Sequence, residues 1–330
     1  RDEVARRVVE ENFNCITPEN DLKWKALERT AGNYDFSAAD AFFAFAEQRG
    51  LRAIGHTLLW HDSSPDWIFI APDGSTASAA LLLDRLRGHV HTVVGRYRGR
   101  ALGWDVVNEA FLQTGELRDH AWYRILGDTA IIEAFRAAHE ADPSAELYYN
   151  DYGLWDAPKR QRVIALVRDL RARGLRVDAV GLQEHITLEG PTIDRMRAAL
   201  ADFAAAGIPV MITELDVSVL PRPRDFLHAD VNQRLELDPG LDPYREGLPA
   251  EVQKRLARRY ADVFALYTEF RGHIRRVTFW GVTDRATWLH NWPIKGRRDH
   301  PLLFDADGQP KPAFRAVVDT LRERANLLPR

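Results

Sequence analysis

The sequence predicts an α/β protein of the (β/α)8 TIM-barrel class. Short apolar runs rich in β-branched residues alternate with longer helical patterns along all 330 residues. Strands that alternate with helices form parallel sheets, and so many repeats in one chain favour a barrel over an open sheet. No glycine-rich phosphate loop follows the first strand, which argues against a doubly wound nucleotide-binding fold.

Seven strands are predicted from short apolar runs bounded by turn or charged residues. They lie at 13–17, 52–59, 102–107, 146–150, 178–183, 208–213 and 274–280. A helix is predicted over 1–11, so the strand that a complete barrel places before its first helix is missing from the given sequence. Two explanations stay open: a preceding segment was removed, or another segment closes the barrel.

Helical patterns separate the strands. In the helix predicted over 37–49, Ser37 is the expected N-cap, Asp40 lies in the first turn, and Gly50 suits a left-handed C-terminal position. Similar reasoning places further helices at 78–96, 128–141, 157–173, 192–206, 249–270 and 312–324. The order of strand and then helix therefore repeats along the chain.

A single catalytic domain over 1–330 is predicted, because no low-complexity linker or further internal repeat divides the chain. The segment 221–248 is rich in Pro, Asp and Arg and follows a predicted strand. In a barrel it is a long loop on the face that holds the active site. A surface excursion and a substrate-contacting loop are both compatible with this composition.

Composition argues against several classes of function. The formal net charge is -3, and the spread of basic residues leaves no stripe for binding nucleic acid. The longest apolar stretches, such as 79–83 and 129–138, are too short or too charged to span a membrane. Cys15 is the one cysteine, so it cannot form an intramolecular disulfide. Localisation is not readable from the N-terminus, which shows no charged-then-apolar leader.

Polar residues cluster where the predicted strands end, which is where a barrel places its catalytic groups. These residues are Glu19, Asn20 and Lys23; His56, Trp60 and His61; Asn108 and Glu109; Gln183 and His185; and Glu214 and Asp216. Cleavage of a glycosidic bond needs two carboxyl groups, and Glu109 and Glu214 lie about three barrel units apart. A carboxylate at a strand end can also form a structural ion pair, but the whole set is costly to assemble for stability alone.

Six motifs in register along almost the whole chain resemble glycoside hydrolase family 10 xylanases. They are FNCITPENDLKW (13–24), GHTLLWH (55–61), GWDVVNEA (103–110), YNDYG (149–153), ITELDV (212–217) and WGVTDRATWL (280–289). The resemblance implies a retaining endo-1,4-β-xylanase that hydrolyses internal bonds of xylan by double displacement. It also implies a secreted or periplasmic protein.

By this resemblance, Glu109 is the general acid/base and Glu214 the nucleophile. Asn108 is expected to hydrogen-bond the sugar 2-hydroxyl, His185 to hold Glu214, and Asp216 to support them, although Asp216 can equally be structural. The substrate-binding positions that the resemblance implies are Glu19, Asn20, Lys23, His56, Trp60, Asn150, Tyr152, Gln183, Trp280 and Trp288.

Tryptophan residues are expected both at the site and in the core. The resemblance implies that Trp280 and Trp288 leave little room for the hydroxymethyl group of a hexose, and such a steric difference gives a modest preference for pentoses. Trp24, Trp67 and Trp104 are the predicted core tryptophans. Glu184 stands where family members usually carry a small polar residue. We expect its side chain to point toward the helices, with little effect on the chemistry.

Rival functions remain at this stage. A related retaining hydrolase with a glucan substrate has the same carboxylate pair, and a non-catalytic carbohydrate-binding barrel usually lacks one of the two. His56 and His61 raise the possibility of a metal, but their spacing is not that of a helical zinc pair. We therefore predict no cofactor and no metal. The expected partners are xylan and xylo-oligosaccharides, with no nucleic acid, no membrane and no obligate protein partner.

Overall fold

A computed structural model describes residues 2–222, 235–236 and 238–326 of the protein. The chain falls into two compact units, and each carries one of the two predicted catalytic glutamates. The Glu109 unit comprises 13–181 and 206–209, whereas the Glu214 unit comprises 1–12, 182–205 and 210–330.

Apart from two short helices that were not predicted, at Trp24–Leu27 and Ala121–Leu126, and one divided strand, helices and parallel strands alternate along the described chain in the order predicted for the (β/α)8-barrel class. The strands are β1 Cys15–Ile16, β2 Arg52–Trp60, β3 Ala101–Asn108, β4 Glu146–Asp151, β5 Ala179–Leu182, β6 His185–Thr187, β7 Val210–Ser218 and β8 Ile274–Phe279. The helices are α1 Glu3–Asn12, α2 Trp24–Leu27, α3 Ser37–Arg49, α4 Ala79–Arg96, α5 Ala121–Leu126, α6 Thr129–Ala141, α7 Ala157–Ala172, α8 Ile193–Ala205, α9 Ala250–Glu269 and α10 Pro312–Asn326. As predicted, no strand precedes α1 within the described residues.

In the Glu109 unit the strands lie in the order β1-β2-β3-β4-β5. Strand β2 is buried along its length except at Arg52, which is typical of a parallel strand covered on both faces. Gly55 allows β2 and β3 to pack closely, because a Cβ atom there would lie 1.9 Å from the ring of Trp104. In this pairing His56 lies beside Asp105 in the middle of β3, and Trp60 lies beside Asn108 at its end.

The boundaries of α3 follow the sequence signals with one correction. Gly50 ends the helix with a φ of 63°, as predicted. The predicted N-cap was wrong, however: Ser37 is the first helical residue and Phe36 occupies the N-cap position. Asp35 supplies the local hydrogen bonds instead, because its carboxylate accepts from the backbone N–H and the hydroxyl of Ser37.

In the Glu214 unit β7 lies between β6 and β8. Strand β7 is buried at every position, whereas β8 is only partly buried. The single strand predicted over 178–183 is corrected, because β5 ends at Leu182 and β6 begins at His185. Glu184, between them, has a φ of 59° that no extended strand accommodates. This break raises the number of strands, counted over the described residues, from seven to eight.

Two of the three predicted core tryptophans are confirmed. Trp24 and Trp104 are buried, but Trp67 is only half-buried. Trp67 lies in a short 3-10 turn after β2, where its indole N–H reaches the carbonyl of Glu28 and Arg85 stacks on its ring. An amphipathic indole suits such a boundary position between core and surface.

Only part of the predicted loop over 221–248 can be compared with the structure. Residues 223–234 and 237 lie outside the described residues, and the described part contains a 3-10 turn at Pro239–Leu241. No helix among the described residues is both long and apolar enough to cross a membrane.

Candidate active site

Glu109 is a buried carboxylic acid just beyond the end of β3, in the Glu109 unit. Its two carboxyl oxygens accept hydrogen bonds from the indole N–H of Trp60, at 3.1 Å, and from the side-chain amide of Asn108, at 3.1 Å. Both donors are neutral. The hydrogen bonds therefore orient the carboxyl group without adding a fixed positive charge against it.

The backbone turns sharply at Glu109, which has a φ of 58°. This left-handed conformation is costly for a residue with a side chain and persists where surrounding bonds impose it. Two such bonds are present, since the N–H of Glu109 donates to the carbonyl of Asn150 at 2.9 Å, and Arg118 Nε donates to the carbonyl of Glu109 at 2.8 Å. Arg118 thereby helps to aim the carboxyl group.

Asn108 and Asn150 are linked at the ends of neighbouring strands. The amide of Asn150 donates to the side-chain oxygen of Asn108 at 2.9 Å, and both residues are buried. The Asn108 amide group is therefore oriented with its NH2 toward Glu109. The orientation of Asn108 is thus set by hydrogen bonds between side chains.

Tyr152 lies over a buried charge cluster that sequence reasoning missed. Lys159 and Asp151 form an ion pair at 2.6 Å with both side chains fully buried, and Lys159 Nζ lies 3.9 Å from the centre of the Tyr152 ring. Arg118 also donates a hydrogen bond to the Tyr152 hydroxyl. Desolvation lowers the pKa of Lys159, although Asp151 opposes that shift. The tyrosine is consequently held by two cations.

The remaining predicted residues of this unit come from β1 and β2. His56 is buried and its Nδ1 lies 2.9 Å from a carboxylate oxygen of Asp105, which fixes the ring. Lys23 donates to Asn20 at 2.9 Å, and its ammonium group lies 4.8 Å from the centre of the Trp60 ring. Glu19 is exposed. The structure thus brings Asn20, Lys23, Trp60 and Glu109 into one series of contacts.

Glu214 lies within β7, in the Glu214 unit, and has a charged partner. His185 Nε2 lies 3.1 Å from Glu214 Oε2, and His185 Nδ1 lies 2.9 Å from Asp216 Oδ2. Burial disfavours a charge on the imidazole, but Asp216 and Glu214 outweigh that effect and raise the pKa of His185 to about 10. At neutral pH the ring is therefore an imidazolium that donates to both carboxylates.

Trp288 and Trp280 lie near this acidic pair. The indole N–H of Trp288 donates to Asp216 Oδ2 at 2.7 Å, and the Trp288 ring lies 4.7 Å from that of His185. The Trp280 ring lies 6.4 Å from His185 in an edge-on arrangement. Gln183 is buried, and its backbone carbonyl accepts a hydrogen bond from the backbone N–H of Glu214 at 3.1 Å. All the predicted residues of this unit therefore gather around His185.

Glu184 points toward α9, as predicted, where it lies near Arg259 and Tyr267. Its buried Oε2 has no hydrogen-bond partner in the described structure. Desolvation raises the pKa of Glu184 to about 7, and Arg259 and His185 reduce the shift only in part. A carboxylate without a close partner is thus buried directly beside the residue that holds Glu214.

Three supporting residues escaped the sequence reading. Asp105, which holds His56, left a detectable signal as a charged residue in the middle of an otherwise apolar strand. Arg118 and Lys159 left none, because charged residues in loops and helices are usual. No group of three metal-ligating side chains occurs among the described residues, and the absence of a cofactor stays a prediction.

Comparison with known proteins adds independent findings. A model of the glycosyl hydrolase family 10 matches residues 1–320. Endo-1,4-beta-xylanase A of Xylanibacter ruminicola is 40% identical over 94% of this chain and 84% of its own length. Endo-1,4-beta-xylanase B of Paenibacillus barcinonensis is 41% identical over 94% of this chain and 89% of its own length. The solved structure of a GH10 endoxylanase from a sugarcane soil metagenome superimposes with a TM-score of 0.93 at 40% identity, covering 97% of this chain and 93% of that one.

Proposed function

The chain belongs to glycosyl hydrolase family 10, and from this membership we propose that it is a retaining endo-1,4-β-xylanase that cleaves internal bonds of xylan. Glu214 is the nucleophile and Glu109 the general acid/base in this proposal. The two relatives named above support the activity and the substrate, because they are endo-1,4-beta-xylanases that are 40% and 41% identical to this chain over most of their own length. The assignment of the two glutamates rests on their surroundings.

In the first chemical step a carboxylate oxygen of Glu214 attacks the anomeric carbon. The bond from that carbon to the leaving sugar oxygen breaks, and the proton of Glu109 passes to this oxygen. The products are a free sugar end and a glycosyl ester on Glu214. Asn108 is placed to hydrogen-bond the 2-hydroxyl, a contact that strengthens toward the transition state.

In the second step Glu109, now ionised, takes a proton from water. The water oxygen attacks the anomeric carbon, the ester bond to Glu214 breaks, and the sugar leaves with its original anomeric configuration. Glu109 must therefore gain and lose a proton in every cycle, whereas Glu214 must stay ionised until it attacks. Retention requires a separation of about 5 to 5.5 Å between the two carboxyl groups.

The single observation that carries this assignment is the position of His185, whose ring nitrogens lie 3.1 Å from Glu214 and 2.9 Å from Asp216. With its pKa raised to about 10 the ring is a cation at neutral pH, and a cation in hydrogen-bond contact favours the ionised Glu214 that a nucleophile requires. Glu109 instead accepts hydrogen bonds from the neutral side chains of Trp60 and Asn108, and Arg118 and Lys159 act on it electrostatically. The pattern is that of an unequal carboxylate pair with distinct roles.

Further expectations follow from the family assignment. Glu19, Asn20, Lys23 and His56 are proposed to bind sugar hydroxyls, together with Gln183, Asn150 and Tyr152. Trp60, Trp280 and Trp288 are proposed to pack on sugar rings, since an indole face suits the C–H surface of a sugar. We further propose one catalytic domain, no cofactor, no obligate protein partner, no nucleic-acid or membrane ligand, and a secreted or periplasmic location.

Product anomers formed from xylohexaose provide the test of mechanism. Proton NMR in the first minutes should show new reducing ends as the β-anomer, because two inversions restore the configuration. Glu214→Ala should abolish this signal, with a loss on the order of 10⁴-fold or more. Early α-anomer would overturn the retaining mechanism, and faster cleavage of mixed-linkage glucan than of xylan would assign a glucanase instead.

Glu109→Ala provides the matched variant. On an aryl β-xylobioside with a good leaving group, the first step needs no proton, so an initial burst of the phenol should survive in Glu109→Ala but not in Glu214→Ala. Added azide should then speed turnover of Glu109→Ala by attacking the glycosyl ester without a general base. Absence of both effects, in a variant with native circular dichroism, would contradict the role of Glu109. A folded wild type that cleaves no xylan would indicate a carbohydrate-binding protein.

A further inference from the structure

Trp288 is backed by two side chains that the reaction itself does not use. Its ring stacks on that of Trp292, with centroids 4.6 Å apart and an angle of 21° between planes. The guanidinium carbon of Arg222 lies 5.0 Å from the centre of the Trp292 ring. We call Trp288, Trp292 and Arg222 the tryptophan stack. It lies wholly within the Glu214 unit.

Trp292, the middle member of the tryptophan stack, is firmly held. Trp292 is only 3% exposed, and its backbone carbonyl accepts a hydrogen bond from Arg297 Nη2 at 3.4 Å. Arg222 has two buried nitrogens, Nε and Nη2, without a hydrogen-bond partner in the described structure. Stacking on an aromatic face is the usual compensation for a guanidinium in such a place, because the ring attracts the cation.

Trp288 itself is less firmly held. It is only half-buried, it lies in a short 3-10 turn over Trp288–His290, and its indole N–H makes one hydrogen bond, to Asp216. A single hydrogen bond fixes one edge of an indole but leaves the ring free to tilt about that edge. Packing against Trp292 and His185 must therefore supply the remaining restraint.

We propose that Trp292 and Arg222 are positioning residues that set the preference for pentose over hexose units, because they hold Trp288 rigidly. The inference rests on the proposed function, in which Trp288 lines the position of the cleaved sugar. A glucose unit differs from a xylose unit by one hydroxymethyl group. A wall excludes that group only if the wall cannot move, since a small tilt of the ring relieves the clash.

The consequence is a change in selectivity rather than in overall activity. Removal of the Trp292 ring leaves space into which Trp288 can tilt, so hexose substrates should gain relative to pentose substrates. Discrimination by one carbon group in a packed site is worth roughly 10- to 200-fold. We therefore expect loss of the support to reduce the ratio of kcat/KM for an aryl β-xylobioside to that for an aryl β-cellobioside by about 10-fold.

The experiment measures this ratio in the wild type, Trp292→Ala, Trp292→Phe and Arg222→Met. Trp292→Ala should lower the ratio mainly by raising kcat/KM on the cellobioside. Trp292→Phe keeps an aromatic ring and should restore the ratio to within about twofold of the wild type. Arg222→Met removes the cation while keeping an apolar stem, so it should lower the ratio by a smaller factor.

Phe203→Leu, in the core of α8 in the same unit, provides the matched control. It should lower thermal stability while leaving the ratio unchanged, because a purely structural loss lowers kcat/KM on both substrates by the same factor. An unchanged ratio in Trp292→Ala and Arg222→Met, with xylanase activity intact, would overturn the inference and leave the proposed function standing. If Trp292→Ala fails to fold, Trp292→Leu and Arg222→Met decide the question. A wild type inactive on xylobioside would instead refute the proposed function.

Discussion

Glu109 and Glu214 are buried glutamates in two different units, one just beyond the end of β3 and the other within β7, and their hydrogen-bond partners differ in charge. Glu109 accepts hydrogen bonds from an indole and an amide, whereas Glu214 contacts an imidazole that two carboxylates keep protonated. A hydrogen bond from a neutral donor favours the ionised form of a carboxyl group, and a hydrogen bond from a cation favours it more strongly. The difference fits the proposal that Glu109 is the acid/base and Glu214 the nucleophile.

The backbone differs between the two units as well. Glu214 lies within β7, where the pairing with β8 is irregular between Ile212 and Leu215, and His185 contacts its carboxylate. Glu109 lies in a left-handed turn that Arg118 and the Asn150 carbonyl hold in place. The orientation of Glu214 thus depends on a strand and on His185, and that of Glu109 on a long side chain from a loop.

The largest expected effect comes from removing the charge beside Glu214. His185→Gln keeps a hydrogen-bond donor of similar reach but cannot carry a positive charge. We expect kcat/KM on xylohexaose to fall by roughly 10²- to 10³-fold, as when one preorganised donor is lost from an active site. Steady-state kinetics between pH 5 and 9 would measure this.

The pH profile sharpens the same comparison. Because the pKa of His185 is raised to about 10, the wild type should show no alkaline loss from this ring below about pH 9. Asp216→Asn removes the carboxylate that contributes most to the raised pKa of His185. The alkaline loss of activity should therefore move to lower pH. An identical alkaline limb in both proteins would show that His185 is not the charged partner of Glu214.

An intermediate effect is expected from Arg118→Met in the Glu109 unit. The change removes the donor to the backbone carbonyl of Glu109 and to the Tyr152 hydroxyl, so the Glu109 carboxyl group is no longer held in its orientation. A displacement of about 1 Å in a catalytic group costs on the order of 10²-fold. We expect the loss in kcat, with KM for xylohexaose changed less. Recovery of part of kcat in Arg118→Lys would separate positioning from a general loss of stability.

The smallest expected effect concerns two buried glutamates outside the catalytic pair. Glu28, in the Glu109 unit, accepts from Trp24 Nε1 at 2.9 Å and the N–H of Gly32 at 2.8 Å. Burial alone would raise its pKa, but these bonds and the one with His89 lower it overall. Glu184, in the Glu214 unit, has a pKa raised to about 7. The two should therefore affect stability with opposite signs.

Urea denaturation at pH 5 and pH 8 tests this contrast. The raised pKa means that folded Glu184 holds its proton longer than the unfolded chain does, so its ionisation costs stability as the pH rises from about 4.5 to 7. Glu184→Gln should thus stabilise the protein by about 2 kcal/mol at pH 8 and by little at pH 5. Glu28→Gln should destabilise it by about 1 to 3 kcal/mol at pH 8. If Glu184→Gln destabilised the protein at pH 8, the conclusion that ionised Glu184 costs stability would be wrong.

Several features of the site follow from local sequence alone. Glu109, Glu214 and His185 are recognisable because a short apolar run leads into a polar residue at each position, although β7 continues past Glu214 to Ser218 and His185 begins β6. The family resemblance then assigns their expected roles. Local signals also locate Gly50 and most helix limits to within one or two residues. The strand predicted over 178–183 failed because nothing in its composition marks the left-handed turn at Glu184.

The sequence by itself thus determined the order of elements, the barrel class and the candidate catalytic pair, because periodicity and strand-end chemistry depend on residues close together in the chain. The family resemblance already implied that His185 holds Glu214, but only the tertiary structure decided the distances and the charge at this contact and the part that Arg118 takes. Arg118 reaches Glu109 from a loop, and His185 meets Glu214 and Asp216 from a different strand. Charge and burial at these contacts arise when separate segments pack, so the protonation of His185 is a property of the fold.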